Sequence, residues 1–176
     1  MALEPIIRRA RPDEAAALGE LALRSKGHWG YDAVFLAACR ADLTLTAAEI
    51  ARDAVYVIAE GDGPPQGFYQ LGAGGAELRE RAQGAGAGPG AGGQLALGAL
   101  FVEPGAIGRG YGRRLWAHAV ALAAGRGARG LTIQSDPHAA GFYGALGARL
   151  IGETPSTVFP GRMLPTVHLA LPASDK

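Results

Sequence analysis

Residues 95–124 read LALGALFVEPGAIGRGYGRRLWAHAVALAA, and this stretch carries the clearest structural pattern of the chain. Residues 95–102 form an apolar run typical of a buried strand. Residues 111–124 repeat leucine and alanine at helical spacing, which predicts an amphipathic helix. The segment Gly-Arg-Gly-Tyr-Gly at 108–112 lies between them. The pattern therefore predicts a strand, a glycine-rich loop and a helix.

The glycine-rich loop has the composition of an anion-binding site. Glycines let the backbone turn tightly and approach a ligand, and the N–H groups that begin the following helix favour a phosphate. Arg109, Arg113 and Arg114 add positive charge nearby. An ordinary glycine turn with solvated arginines is the alternative, but the flanking strand and helix favour a phosphate site.

Two familiar phosphate loops fit this segment poorly. It lacks the Gly-Lys-Ser/Thr ending of a nucleoside triphosphate loop, and Arg113 stands where the dinucleotide fingerprint has its third glycine. This argues against a nicotinamide-dependent oxidoreductase. A diphosphate carried by another cofactor remains open.

The rest of the chain predicts one mixed α/β domain over residues 1–176. Strands are predicted at 4–10, 54–59, 66–71, 95–102, 131–134, 148–153 and 166–171, and helices from 12 to a stop at Gly27, at 31–40, 46–52 and 111–124, and from about 137. The glycine- and alanine-rich residues 72–93 predict a flexible surface loop.

Composition limits the class of protein. A hydrophobic share of 48% suits one packed core, and a net charge of +1 lacks the excess typical of nucleic-acid or membrane-surface binders. The single Cys39 has no internal disulfide partner, and neither a signal peptide nor an apolar run of spanning length is evident. We expect a cytoplasmic protein that needs no metal, nucleic acid or membrane.

Two segments together resemble the GNAT superfamily of N-acetyltransferases. Residues 100–104, LFVEP, followed by the glycines of 108–112 resemble its acetyl-coenzyme A motif, and residues 136–147, DPHAAGFYGALG, resemble its later segment with a Phe-Tyr helix. The resemblance implies a mixed, mostly antiparallel twisted sheet with splayed central strands and flanking helices. It also implies acetyl-coenzyme A (acetyl-CoA) as the acetyl donor. The chain departs from the family pattern at Ile107, where the family often has Gln or Arg, and at His138, where Asn is common.

The resemblance also assigns a coenzyme site. The strand backbone would bind the pantetheine arm, and the loop N–H groups would hold the diphosphate with the Arg109 side chain. The implied coenzyme-binding residues are Phe101, Val102, Gly108, Arg109, Gly110, Tyr111, Gly112, Arg113, His138 and Phe142.

Two residues are predicted to act in catalysis. Tyr143 matches the family tyrosine near the coenzyme sulfur and is a candidate general acid; a core aromatic is the alternative. Glu103 is the carboxylate best placed to act as general base, although a solvated strand-end carboxylate is an equal alternative. His138 ranks second as a base.

The acceptor site is predicted between the first two helices. His28, Trp29 and Tyr31 either attract a cationic amine through their ring faces or form a small satellite core. Arg162 is a candidate anchor for an acidic acceptor. We expect an N-acetyltransferase that acts on a small amine; an acetyltransferase that acts on a protein N-terminus or lysine is a less favoured alternative. A non-catalytic acyl-CoA-binding sensor or assembly module is the alternative. The family resemblance also implies a homodimer through the C-terminal strands.

Overall fold

The computed structural model describes residues 4–72 and 93–172. Its strands are β1 (Pro5–Arg9), β2 (Ala54–Glu60), β3 (Pro65–Leu71), β4 (Gln94–Val102), β5 (Gly130–Gln134), β6 (Arg149–Pro155) and β7 (Met163–Ala170). Its helices are α1 (Ala15–Gly27), α2 (Ala33–Leu43), α3 (Ala47–Arg52), α4 (Tyr111–Gly125) and α5 (Ala140–Ala145), with short 3-10 helices at Pro12–Glu14 and Pro104–Ala106. Most of the predicted loop 72–93 lies outside the described residues.

The seven strands are hydrogen-bonded in the order β1-β2-β3-β4-β5-β7-β6. β4 and β5 run parallel, while β1–β2, β5–β7 and β6–β7 are antiparallel pairs. The predicted fold class, a mixed and mostly antiparallel sheet flanked by helices, is therefore confirmed.

The chain folds into two compact units. Of the described residues, the first comprises 4–70 and 99–118. In α1, Leu18, Leu21 and Ala22 share one face because they are spaced by three and four residues, and all three are buried. They belong to an apolar core completed by Ala10, Leu45, Ile50, Val55, Val57 and Phe68.

Of the described residues, the second unit comprises 71–72, 93–98 and 119–172. Leu131 and Ile133 of β5 and Val167 of β7 are buried. A buried hydrogen bond of 2.7 Å joins the hydroxyls of Thr154 and Thr166, so these two polar side chains satisfy each other. The prediction of a single domain stays a prediction.

Local capping explains where several helices begin. The predicted capping box is present at α3, where the Thr46 hydroxyl accepts from the Glu49 N–H and the Glu49 carboxylate accepts from the Thr46 N–H. α2 begins at Ala33 rather than residue 31 because the Asp32 carboxylate caps it. Within residues 4–72 and 93–172, no helix has both the length and the apolar character that a bilayer crossing requires.

Two later boundaries also differ from the prediction. Asp136 accepts a hydrogen bond of 2.9 Å from the His138 N–H, and this turn delays the start of α5 to Ala140. β7 begins at Met163 because its antiparallel pairing with β6 extends to the Pro155–Met163 pair. Both shifts arise from contacts that apolar periodicity does not report.

Candidate active site

Strand β4 is longer than its parallel pairing with β5. The register runs from Gln94 opposite Gly130 to Leu97 opposite Ile133, whereas β4 continues to Val102. A strand that continues beyond its partner has backbone N–H and C=O groups available to a ligand. This part of β4 contains Phe101 and Val102, the residues predicted to bind the pantetheine arm.

The loop after β4 has a backbone that depends on glycine. The short helix Pro104–Ala106 ends in a turn in which the Arg109 N–H donates to the Ala106 carbonyl at 3.2 Å. Gly108 and Gly110 have φ angles of 85° and 83°, a left-handed conformation that costs other residues free energy. A Cβ at either glycine would meet no atom within 4 Å, so the loop backbone borders open space.

The start of α4 provides donors for an anion. The helix begins at Tyr111, and the Arg114 N–H donates to the Gly110 carbonyl at 3.1 Å. The N–H groups ahead of Arg114 belong to the first turn, where intrahelical acceptors are missing. Together with the positive helix end, these groups suit a diphosphate.

Arg109 and Tyr111 converge on one carboxylate of β2. The Arg109 guanidinium donates to Glu60 Oε1 at 2.7 Å, and the Tyr111 hydroxyl donates to the same oxygen at 2.8 Å. These hydrogen bonds, the one from Tyr111 being the stronger influence, lower the pKa of the Glu60 carboxyl, and the bond to Glu60 raises the pKa of Tyr111. Arg109 also lies over the Tyr111 ring, 5.0 Å from its centroid.

The other two arginines of the loop are exposed. Arg114 donates a hydrogen bond of 2.6 Å to the Pro5 carbonyl, and Arg113 lies at an exposed position of α4. Their charges remain near the helix start, but Arg109 is the one held by a carboxylate and an aromatic ring.

Glu103 follows β4, is partly exposed and forms an ion pair with Arg24. The Arg24 guanidinium of α1 contacts both carboxylate oxygens, with its Nε 3.2 Å from each. Both residues line a cavity of about 320 Å³ together with Ala17, Leu21, Pro64, Pro65, Gln66 and Gly105. α1 therefore supplies a cation to Glu103, and the assignment of Glu103 as the base stays a prediction.

The predicted aromatic cluster after α1 is divided into two contacts. His28 packs edge-on against Trp29 at 5.2 Å, while Tyr31 stacks on Phe35 at 4.2 Å. The ammonium of Lys26 lies 5.1 Å from the Tyr31 ring and 5.5 Å from the Phe35 ring. A cation of the protein itself therefore lies at the Tyr31 ring, which was predicted to attract a cationic acceptor.

The remaining predicted residues lie in the second unit. Tyr143 of α5 is buried, with 4% relative exposure, and its ring packs edge-on against Phe142 at 5.1 Å. Burial raises the pKa of Tyr143. Arg162 forms an ion pair of 3.6 Å with Asp136, the residue that accepts from the His138 N–H.

The structure brings together only part of the predicted site. Within the first unit, Arg109 and Tyr111 both hydrogen-bond Glu60. Glu103 is paired with Arg24 of α1. Glu60 and Arg24 were not predicted from the sequence. Glu60 lies 49 residues from Arg109, and Arg24 lies 79 residues from Glu103. No local pattern marks either pairing.

The chain resembles many solved structures in fold. A GCN5-related N-acetyltransferase from Rhodopseudomonas palustris has a TM-score of 0.70 at 21% identity, covering 97% of this chain and 98% of its own. PaiA N-acetyltransferase from Thermoplasma acidophilum, in complex with coenzyme A, has a TM-score of 0.71 at 14% identity, covering 96% and 100%. YncA, a putative acetyltransferase from Salmonella typhimurium with acetyl-CoA, has a TM-score of 0.64 at 20% identity, covering 98% and 97%. These likenesses define the fold of an acetyltransferase.

The sequence identifies the family directly. A model of the acetyltransferase (GNAT) family matches residues 35–148, which include the glycine loop and α5. The chain belongs to the acetyltransferase (GNAT) family. No curated protein matches the sequence significantly.

Proposed function

We propose that this protein is an acetyl-CoA-dependent N-acetyltransferase that acts on the primary amine of a small molecule. The observation that carries the proposal is the β4–loop–α4 unit, in which two left-handed glycines precede a helix start. Such a backbone leaves donors for the coenzyme diphosphate at the point where β4 ends.

The residues present fit acetyl-CoA on two counts. The open space beside Gly108 and Gly110 leaves room for a diphosphate against the backbone. The part of β4 beyond Leu97 offers backbone groups to the amide-containing pantetheine arm. Two structurally similar acetyltransferases hold coenzyme A or acetyl-CoA, which supports the same donor here.

Acetyl transfer then proceeds by direct attack. The neutral amine nitrogen forms a bond to the thioester carbonyl carbon, the carbon–sulfur bond breaks, and the thiolate leaves. The amine loses one proton and the thiolate takes up one, so the reaction needs no redox partner.

Tyr143 is the proposed proton donor to the thiolate. Because burial raises its pKa, the hydroxyl keeps its proton at neutral pH. The same shift makes Tyr143 a weaker acid, so its first contribution is a hydrogen bond to the developing thiolate. Proton transfer follows as the sulfur becomes more basic.

Glu103 is the proposed base, and its partner restricts how it acts. Both carboxylate oxygens contact Arg24, so the acceptor must share Glu103 with Arg24 or reach it through water. His138, a residue of the second unit, is the alternative base. The proposed anchor Arg162 forms a longer ion pair of 3.6 Å with Asp136.

A small acceptor is favoured by the size and lining of the cavity beside Glu103. Its volume of about 320 Å³ is at the low end for small-molecule pockets. Its lining combines leucine, alanine and proline side chains with the polar side chains of Arg24, Gln66 and Glu103. A protein N-terminus or a lysine side chain is the less favoured acceptor.

A non-catalytic coenzyme-binding module is the second candidate. The observation that favours it is that Arg24 engages Glu103, the carboxylate proposed as base. A sensor needs the coenzyme loop but no free base.

Calorimetric titration with acetyl-CoA, followed by a free-thiol assay with a panel of amines, tests both proposals. Saturable binding with thiol release that depends on an amine supports the enzyme, and the best amine identifies the acceptor class. Binding without turnover on any amine supports the module. Absence of binding contradicts both proposals.

A further inference from the structure

One carboxylate outside the glycine loop holds two of the loop's side chains. Glu60 is the last residue of β2, and its Oε1 accepts from Arg109 at 2.7 Å and from Tyr111 at 2.8 Å. The resemblance that placed the coenzyme in the loop assigned no role to Glu60.

The loop needs side-chain contacts to fix its conformation, because its glycine backbone can adopt many conformations. Gly108 and Gly110 flank Arg109, and glycine has more accessible conformations than any other residue. A diphosphate binds well only when the N–H groups already point toward it, since ordering a loop on binding costs conformational entropy.

Tyr111 connects Glu60 directly to the start of α4. It is the first residue of α4 and is 4% exposed, and its hydroxyl is directed to Glu60. Its ring also supports the Arg109 guanidinium at 5.0 Å. Residues on both sides of Gly110 are therefore tied to the same oxygen.

We infer that Glu60 is a positioning residue for the coenzyme diphosphate, holding residues 108–111 in the conformation that presents the N–H groups of the helix start to it. This inference rests on the proposed function. Glu60 acts through Arg109 and Tyr111 and does not touch the coenzyme. Because a guanidinium has five N–H donors, Arg109 can contact Glu60 and a phosphate oxygen together.

The negative charge of Glu60 has an opposing effect. A carboxylate near an anion site weakens anion binding through repulsion, although the paired Arg109 offsets that charge. The two effects predict opposite results when Glu60 is removed. If positioning dominates, coenzyme binding weakens; if repulsion dominates, it strengthens.

The test compares Glu60→Ala, Glu60→Gln and Asp62→Asn by calorimetric titration with coenzyme A. Asp62 lies two residues beyond Glu60, so Asp62→Asn removes a nearby charge without touching the loop contacts. We expect the Kd of Glu60→Ala to rise by roughly tenfold or more, as is typical when a partner that orients a binding group is lost. Glu60→Gln should recover part of the affinity, because its amide oxygen still accepts from Tyr111.

Steady-state kinetics separate positioning from a general defect. The KM for acetyl-CoA should rise in Glu60→Ala while kcat stays within about twofold, because the lost interaction concerns binding rather than the reacting atoms. With S-acetylpantetheine, which lacks the diphosphate, the loss in kcat/KM should be smaller than with acetyl-CoA.

Three results would overturn the inference: an unchanged or lower Kd in Glu60→Ala, a fall in kcat without a rise in KM, or the same loss as in Asp62→Asn. If the wild-type protein binds no acetyl-CoA, the proposed function is wrong as well. If the wild type binds and Glu60→Ala binds equally, only the role of Glu60 is wrong.

Discussion

Tyr143 and Glu103 are the two residues proposed for catalysis, and their surroundings differ. Tyr143 is buried beside Phe142 and keeps its proton, whereas Glu103 is ionically paired with Arg24. The buried hydroxyl of Tyr143 suits a proton donor to the coenzyme sulfur. The Glu103 carboxylate must contact Arg24 and the acceptor together, or reach the acceptor through water, in order to accept a proton. The proton donor is therefore the sharper target for mutation.

Replacing Tyr143 by Phe removes the hydroxyl and keeps the ring. We expect kcat to fall by ~10²-fold with the Kd for acetyl-CoA unchanged, since general acid catalysis contributes on this scale. The measurement is the free-thiol assay combined with calorimetry. Tyr56→Phe is the matched control, and a kcat in Tyr143→Phe equal to that of the wild type would contradict the assignment.

His118 of α4 predicts a pH dependence of stability. Its Nδ1 lies 2.7 Å from the Tyr69 hydroxyl, its ring packs on Tyr56 at 4.7 Å, and burial lowers its pKa below the ordinary 6.5. The unfolded chain therefore binds a proton more readily than the folded one. The contribution of neutral His118 to the free energy of unfolding is fully present above the pKa that His118 has in the unfolded chain. It is lost as the pH falls below that pKa.

Urea unfolding at about pH 7.5 and about pH 5.5 measures this effect, because the two values lie on either side of the ordinary histidine pKa. The free energy of unfolding should fall at the lower pH, and His118→Gln should reduce that fall without abolishing it. Burial also lowers the pKa of His168, so His168 contributes part of the fall in the free energy of unfolding that remains in His118→Gln. His28→Gln, at an exposed position, is the control. An equal fall in wild type and His118→Gln would contradict the prediction.

At the scale of elements, the loop between β4 and α4 depends on backbone conformation more than on side chains. Gly110 has a φ angle of 83° and open space where a Cβ would be added. A side chain added at residue 110 would clash with no other atom, so the free-energy cost of the substitution comes from the left-handed backbone alone.

Gly110→Ala should lower the free energy of unfolding by about 1 kcal/mol, the usual cost of a left-handed alanine. It should also weaken coenzyme A binding, because the loop relaxes away from that backbone. Thermal unfolding and calorimetry measure the two effects. Gly125→Ala is the control, since Gly125 also has open space but no left-handed φ; equal effects of the two substitutions would contradict the prediction.

The elements themselves were largely predictable from local sequence. Apolar periodicity located β4 and α4, and the Thr46–Glu49 pattern located the start of α3. The boundaries that shifted depended on side-chain caps or strand pairing, as at Asp32 and Met163. Such contacts involve partners that periodicity does not identify.

At the scale of the whole molecule, the fold and family agree. The chain is covered almost completely by acetyltransferases of known structure, with TM-scores of 0.70 and 0.71 for two of them. Identities of 21% and 14% show that quite different sequences reach this fold. The fold alone does not specify an acceptor, so the acceptor must be found by assay.

Ligand-linked stability tests the coenzyme proposal on the intact chain. Acetyl-CoA at about 100 times its Kd should raise the free energy of unfolding by about 2.7 kcal/mol, and the melting temperature should rise with its concentration. Thermal unfolding monitored by fluorescence gives the shift. Adenosine, which lacks the diphosphate and the pantetheine arm, is the control. A melting temperature that does not respond to millimolar acetyl-CoA would contradict the proposal.

The sequence by itself determined the strand–loop–helix unit and the order of elements, because these depend on local periodicity and on glycines at fixed spacing. It also indicated the family, through the resemblance of residues 100–112 and 136–147 to family motifs. Only the tertiary structure decided which charges meet. Glu60 joins Arg109 across 49 residues, and Arg24 joins Glu103 across 79. Ion pairs between distant segments depend on how strands and helices align, and a residue pattern carries no record of that alignment.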